Sequence, residues 1–211
     1  MSTVEQAVNF LGVDVIRSLA LSSHVFAQFP ADKAKAFHIE RLSAEGMRVG
    51  LVARCIAKAE QRQPKELEQV FIAGLLHDTG ILMSTANRSS RYSSVLSRAR
   101  TEHQKIWETE QGIFCATHAE VGAYLLGLWG FDEAVIEAIA LHHRPEDSRS
   151  EGFTALTVVY AADALLQKQY GQAMDCLPST LNRNYLDRLA LADRLPQWGI
   201  TAWNVGRALA A

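Results

Sequence analysis

Phe71-Ile-Ala-Gly-Leu-Leu-His-Asp-Thr-Gly80 is the stretch on which the reading of this chain turns. It is an apolar helical run that ends in an adjacent imidazole and carboxylate, with a glycine just beyond. A helix stopping there delivers His77 and Asp78 together at its C-terminal end. Gly80 is then expected to take the left-handed conformation that closes the helix. A metal ligand pair would be presented in this way, but so would an ordinary polar helix end, and the stretch alone favours the second. The rest of the chain decides between them.

Upstream, a helix after Pro64 carries Leu67, Val70, Gly74 and His77 on one face. A long helical stretch from Asp32 to about Gln61 precedes it, with Leu42, Val49, Val52 and Ile56 on one stripe. Glu45 falls on that same stripe, where a solvated glutamate is not expected. The chain opens with Val4, Ala7, Val8 and Leu11 at helical spacing and a second apolar helix, Val13 to Phe29, stopped by Pro30. An opening this hydrophobic needs a partner surface.

Downstream, residues Ser84 to Ser97 are rich in Ser, Arg and Asn. They read as a mobile connection or a solvated helix start with no visible chemistry. Thr117-His-Ala-Glu120 has the form of a capping box, which places His118 in the first turn of a helix continuing inward through Val121, Leu125 and Trp129. Asp132 opens a helix whose stripe of Val135, Ile136 and Ile139 runs into His142-His143 before Pro145 stops it. From Phe153 to about Tyr170 the stripe is Leu156, Val159, Asp163 and Leu166, so a carboxylate sits in the middle of an apolar face. Burying it without a partner would cost several kcal/mol, which implies a cation or donors beside it. A linker, Gly171 to Pro178, leads to two short helical segments, Leu181 to Leu195 and Thr201 to Leu209. No strand pairing is visible, and the fold class is all-α.

Composition narrows the function. A formal net charge of −2 on 211 residues leaves no electrostatic footprint for a nucleic acid backbone. The three cysteines, Cys55, Cys115 and Cys176, are widely spaced and form neither a disulfide framework nor a thiolate zinc motif. No apolar run approaches the roughly 18 residues of a membrane span, and the expected setting is cytoplasmic. No phosphate-cradling glycine loop and no marked nucleophile are found.

Glu45, His77, Asp78, His118, His142, His143 and Asp163 are therefore the residues that stand out, each on or ending a predicted helix. Imidazole and carboxylate donors suit iron, manganese, zinc or similar divalent ions, and helical cores assemble such sites from separate helices. Singly, each has an ordinary structural explanation. His142 and His143 suit a helix C-terminus, and Asp163 and Glu45 could pair with arginines such as Arg48 or Arg54. Only the combination points to a pocket. His24, His38 and His103 have no such company.

At these residues the sequence resembles the HDOD domains, a divergent all-helical branch of the HD-domain superfamily of metal-dependent phosphohydrolases. The matching pieces are Ala73 to Gly80, Glu110 ahead of Phe114, Thr117 to Ala123 with Leu125, Leu126 and Trp129, and Ala138 to His143 with Pro145. Val4 to Ala7 with Leu11-Gly12 looks like the family's helix before the His-Asp region. The resemblance implies a compact HD-like helical bundle over residues 1–170, with the family's opening helices missing before Met1, and a C-terminal helical extension over 171–211. It maps the superfamily's His-Asp pair onto His77 and Asp78, later histidine ligands onto His118 and His142 or His143, and a last aspartate onto Asp163. The chain departs from the catalytic pattern at Glu45, where relatives carry a first histidine, and at Ile81, where a lysine often follows.

The resemblance implies a bacterial signalling regulator that binds a protein partner and does not turn over substrate. Its pocket would hold one divalent ion such as iron or manganese, or a small phosphorylated ligand, and self-association is a further expectation. The alternative is a metal-dependent phosphohydrolase acting on a nucleotide or cyclic dinucleotide.

Overall fold

The computed structural model describes residues 39–170 and 180–210. The two apolar opening helices, His24, His38 and the Gly171 to Pro178 linker lie outside them. Among the described residues all regular structure is helical. The order is α1 (Ile39–Ala59), α2 (Pro64–Leu76), α3 (Thr79–Thr101), α4 (Ile106–Phe114), α5 (His118–Leu128), α6 (Glu133–Leu141), α7 (Ala155–Tyr170), α8 (Arg183–Arg188) and α9 (Leu195–Ala210). Short 3-10 turns occupy Pro145–Asp147 and Ala192–Arg194.

The stripe read on α1 is the core face: Val49, Val52 and Ile56 are fully buried with Phe71, Leu76, Leu126, Ile139, Leu156 and Val159. Each such side chain contributes roughly 1.5–3 kcal/mol through removal from water. α1 and α2 cross backbone to backbone. A Cβ on Gly50 would lie 2.7 Å from the Phe71 carbonyl oxygen, and one on Gly74 would lie 2.8 Å from the Gly50 backbone. α9 joins this same core through Trp198, which is fully buried and donates its indole N–H to Glu60 Oε1 at 3.0 Å. A second, smaller cluster of Leu42, Ile81, Leu82, Tyr92, Val95 and Ile106 fastens α3 and α4 to the start of α1.

Three local expectations are corrected. Ser84 to Ser97 is neither a connection nor a helix start; it is the middle of α3. Tyr92 and Val95 are buried there at the spacing that serine and arginine neighbours disguise, and the helix bends at Arg88 (φ −139°, ψ 43°). On α5 the core face is Ala119, Gly122, Ala123 and Leu126, while Trp129 is 44% exposed.

The third correction concerns Gly80, which does not close α2 in the left-handed region. α2 passes through His77 (φ −55°, ψ −35°) and Asp78 (φ −97°, ψ 10°) directly into α3, so the His-Asp pair is the joint between two helices. Gly80 is required for a different reason: a Cβ there would sit 1.9 Å from the His118 carbonyl oxygen. Its bare backbone lets the first turn of α3 touch the first turn of α5.

Candidate metal centre

That contact assembles the site. The α2–α3 joint supplies His77 and Asp78. The first turn of α5 supplies His118, which Thr117 sets in place by a reciprocal cap with Glu120 (Glu120 N–H to Thr117 Oγ1 3.2 Å, Thr117 N–H to Glu120 Oε2 2.7 Å). The end of α6 supplies His142 and His143, and the middle of α7 supplies Asp163.

One donor atom from each of Asp78, His118, His142 and His143 lies within 4.8 Å of the other three. His118 Nε2 is 3.2 Å from Asp78 Oδ1 and 2.9 Å from His143 Nε2, and His142 Nε2 is 3.8 Å from Asp78 Oδ1. Bonds of about 2.1 Å place opposite donors about 4.2 Å apart, so this set closes on one ion with small side-chain movements. On the other side of Asp78, Oδ2 is 3.3 Å from His77 Nε2, which is 3.8 Å from Asp163 Oδ1. Glu45 is half-buried on α1 and is not one of the four grouped donors; its carboxylate acts on His77 through its charge.

The outer ring nitrogens explain why the inner ones converge. His77 Nδ1 donates to the Gly74 carbonyl (2.8 Å), His142 Nδ1 to the Ile139 carbonyl (2.7 Å) and His118 Nδ1 to Glu110 Oε2 (2.7 Å). An imidazole whose Nδ1 carries the donated proton keeps its Nε2 lone pair for a metal, and such supports fix both tautomer and ring direction. His142 Nε2 is buried and has no hydrogen-bond partner. An orphaned buried acceptor costs about 1–3 kcal/mol, and a cation at this point would satisfy it. The donor set fits a divalent ion such as iron, manganese or zinc.

The electrostatics agree. Burial disfavours the charged form of His118, but Glu110 and Asp78 outweigh it and raise its pKa to about 10. Burial, then the charges of His77 and His118, lower His142 to about 3, and burial with its histidine neighbours also lowers His143 well below the usual range. Burial would raise Asp78, yet His77 and His118 hold it well below the usual carboxylate range. Asp163 is pushed up to about 6 by burial, and Gln167 donates to both its oxygens at 2.8 Å. Without an ion, one proton on His118 therefore takes the central position of the cluster.

A family model for the HDOD domain matches residues 1–145. The chain belongs to the HDOD domain family. Solved structures share its fold. An HDOD domain protein of unknown function from Geobacter sulfurreducens is 21% identical with a TM-score of 0.75, covering 99% of this chain and 72% of the other. A Shewanella amazonensis protein provisionally named a phosphohydrolase is 20% identical with a TM-score of 0.62, covering 99% and 77%. A Marinobacter aquaeolei protein provisionally named a signal transduction protein is 18% identical with a TM-score of 0.58, covering 81% of this chain and 39% of its own length. No curated protein matches the chain.

Within this HDOD domain, sequence reasoning placed Glu110 among the family-like pieces but gave it no role, and it is the residue that supports the centre. Glu110 is 1% exposed and accepts from Tyr92 Oη (2.6 Å), His118 N–H (2.8 Å) and His118 Nδ1–H (2.7 Å). The signal was available, because position 110 is one of two acidic residues in a short helix, Glu108 and Glu110, that cannot both face solvent if Ile106 is buried. At position 81, where the resemblance expects a lysine, Ile81 is buried in the smaller apolar cluster with Leu42 and Tyr92. The cation close enough to act on His143 is instead Lys105, whose ammonium lies 5.5 Å over Trp107, a ring that itself stacks on His143 at 5.8 Å.

Proposed function

We propose that this HDOD domain is a non-catalytic, cytoplasmic signalling regulator of bacterial type that holds one divalent ion and works by engaging a protein partner. The observation that carries the reading is the pairing of a complete inner donor set, Asp78, His118, His142 and His143, with a carboxylate at position 45 and a buried isoleucine at position 81. The donor set explains retention of an ion. Carboxylates at positions 45, 78 and 163 around it add negative charge, which keeps the pKa of a bound water high and repels an anionic phosphoester. The transferring phosphoryl would also need a cation at the ion; Ile81 supplies none, and the Lys105 ammonium stands over the Trp107 ring.

Partner engagement is supported by the outer face of α5, where Tyr124 (71%) and Leu128 (68%) are exposed one turn apart beside Trp129. Exposed aromatics grouped in this way suit a protein contact, with a partner or with a second copy of the chain. No helix among the described residues is long and apolar enough to cross a membrane.

The intact donor set also keeps the second reading, a metal-dependent phosphohydrolase, in play. The test is elemental analysis of protein purified without added metal, together with a phosphoester screen covering nucleotides and cyclic dinucleotides under added manganese or iron. The expected result is about one bound ion per chain and no turnover. Metal-dependent hydrolysis abolished by Asp78→Ala would reverse the order of the two readings.

A further inference from the structure

Apart from Tyr92, which donates to Glu110, the serine- and arginine-rich part of α3 supplies nothing to the metal centre, yet its charge is one-sided. α3 contains Arg88, Arg91, Arg98 and Arg100 and no acidic residue. Arg98 is paired with Glu102 at 2.8 Å. Arg88 and Arg91 have no ion pair among the described residues. Both line an open cleft of about 400 Å³ between α3, the end of α4 and the start of α5, with Met83, Asn87, Phe114 and Val121. The bend of α3 falls at Arg88 itself, and Arg91 is pinned to the wall by stacking its guanidinium 5.4 Å over Phe114, which leaves its N–H fork without a carboxylate.

We propose that this cleft is a binding site for a small phosphorylated ligand with a planar apolar body, of the chemistry of a nucleoside monophosphate. Two guanidiniums one turn apart match the oxygens of a phosphate dianion, because each fork can form two parallel charge-assisted hydrogen bonds. Asn87 and Ser84 add polar groups for a sugar or ring edge, and Met83, Ile113, Phe114 and Val121 give the body an apolar wall. The volume is that of a small-ligand pocket. Neither guanidinium is paired with a carboxylate among the described residues, and both line the cleft. The cleft uses none of the metal-donor side chains, but Met83 follows Thr79 by one turn and Val121 follows His118 by one turn. A ligand here therefore bears on the same two helix ends that meet at Gly80.

The test is calorimetric titration of the full chain with AMP and with GMP at low salt in the presence of EDTA, so that the metal centre contributes nothing. At least one of the two is expected to bind, with affinity falling as salt rises. The matching nucleoside and inorganic phosphate should each bind about tenfold or more weakly. The double variant Arg88→Gln/Arg91→Gln, at exposed positions and folded by circular dichroism, should lose about tenfold or more, the loss of at least one charge-assisted contact. Failure of both nucleotides to bind in EDTA, equal binding by the double variant, or a nucleoside that binds as tightly as its monophosphate would each overturn the proposal.

Discussion

Glu110 offers the sharpest test of how the centre is held. Its carboxylate is buried and accepts from three donors: the Tyr92 hydroxyl, the His118 backbone N–H and His118 Nδ1–H. Glu110→Ala removes the acceptor that these three donors use. At about 1–3 kcal/mol for each stranded buried donor, and with less than full additivity, the expected loss is roughly 3–6 kcal/mol. That is a large part of the roughly 5–15 kcal/mol that stabilises a domain. Glu110→Gln separates structure from charge. Its amide oxygen still accepts from the two His118 donors and its NH₂ can donate to the Tyr92 oxygen, so the fold should survive. His118 then lacks the charge that makes it a strong base and a strong ligand, and affinity for manganese or zinc should fall about 10- to 100-fold. Urea denaturation of the EDTA-treated protein measures the first effect and metal titration by calorimetry the second. Stability of Glu110→Ala within about 1 kcal/mol of the parent, or unchanged metal affinity of Glu110→Gln, would refute the reasoning.

Other expectations follow from the same geometry. Gly80→Ala places a methyl group 1.9 Å from the His118 carbonyl oxygen, backbone that cannot yield cheaply; it should cost about 3 kcal/mol or more and separate α3 from α5, seen as a lower urea midpoint together with lost metal binding. Ile81→Lys buries an ammonium in an apolar cluster; it should destabilise the domain by several kcal/mol, and even combined with Glu45→His it should yield no hydrolysis in a phosphoester assay. The His118 pKa is raised to about 10 in the metal-free protein, so its contribution to stability is full below about pH 6.5 and is lost as pH rises through about 10. EDTA-treated protein should therefore weaken between about pH 7 and 10 in denaturation series, and metal affinity should rise about tenfold per pH unit over the same range because binding displaces that proton. A flat affinity profile would show that His118 is not a ligand.

Sequence alone was enough for the helical class and for picking out the imidazoles and carboxylates that the fold brings together. Apolar residues at helical spacing survive as buried stripes on α1 and α7, because a helix face must be buried as a unit, and the capping box at Thr117 is chemistry confined to one turn. His77, Asp78, His118, His142 and Asp163 were legible because a polar residue on an apolar stripe has to be satisfied by something. What the sequence could not give is what lies across from each side chain. Gly80 reads as a helix stop in one dimension and as a point of contact between α3 and α5 in three. Glu110 reads only as part of a family-like stretch, with no role, until its three donors surround it. Ile81 stands where the resemblance expects a lysine, but the packing of α3 against the start of α1 buries it in the apolar cluster. Local spacing fixes which face a residue occupies on its own helix; only the packing of helices decides which faces meet, since that depends on contacts between residues far apart in the chain.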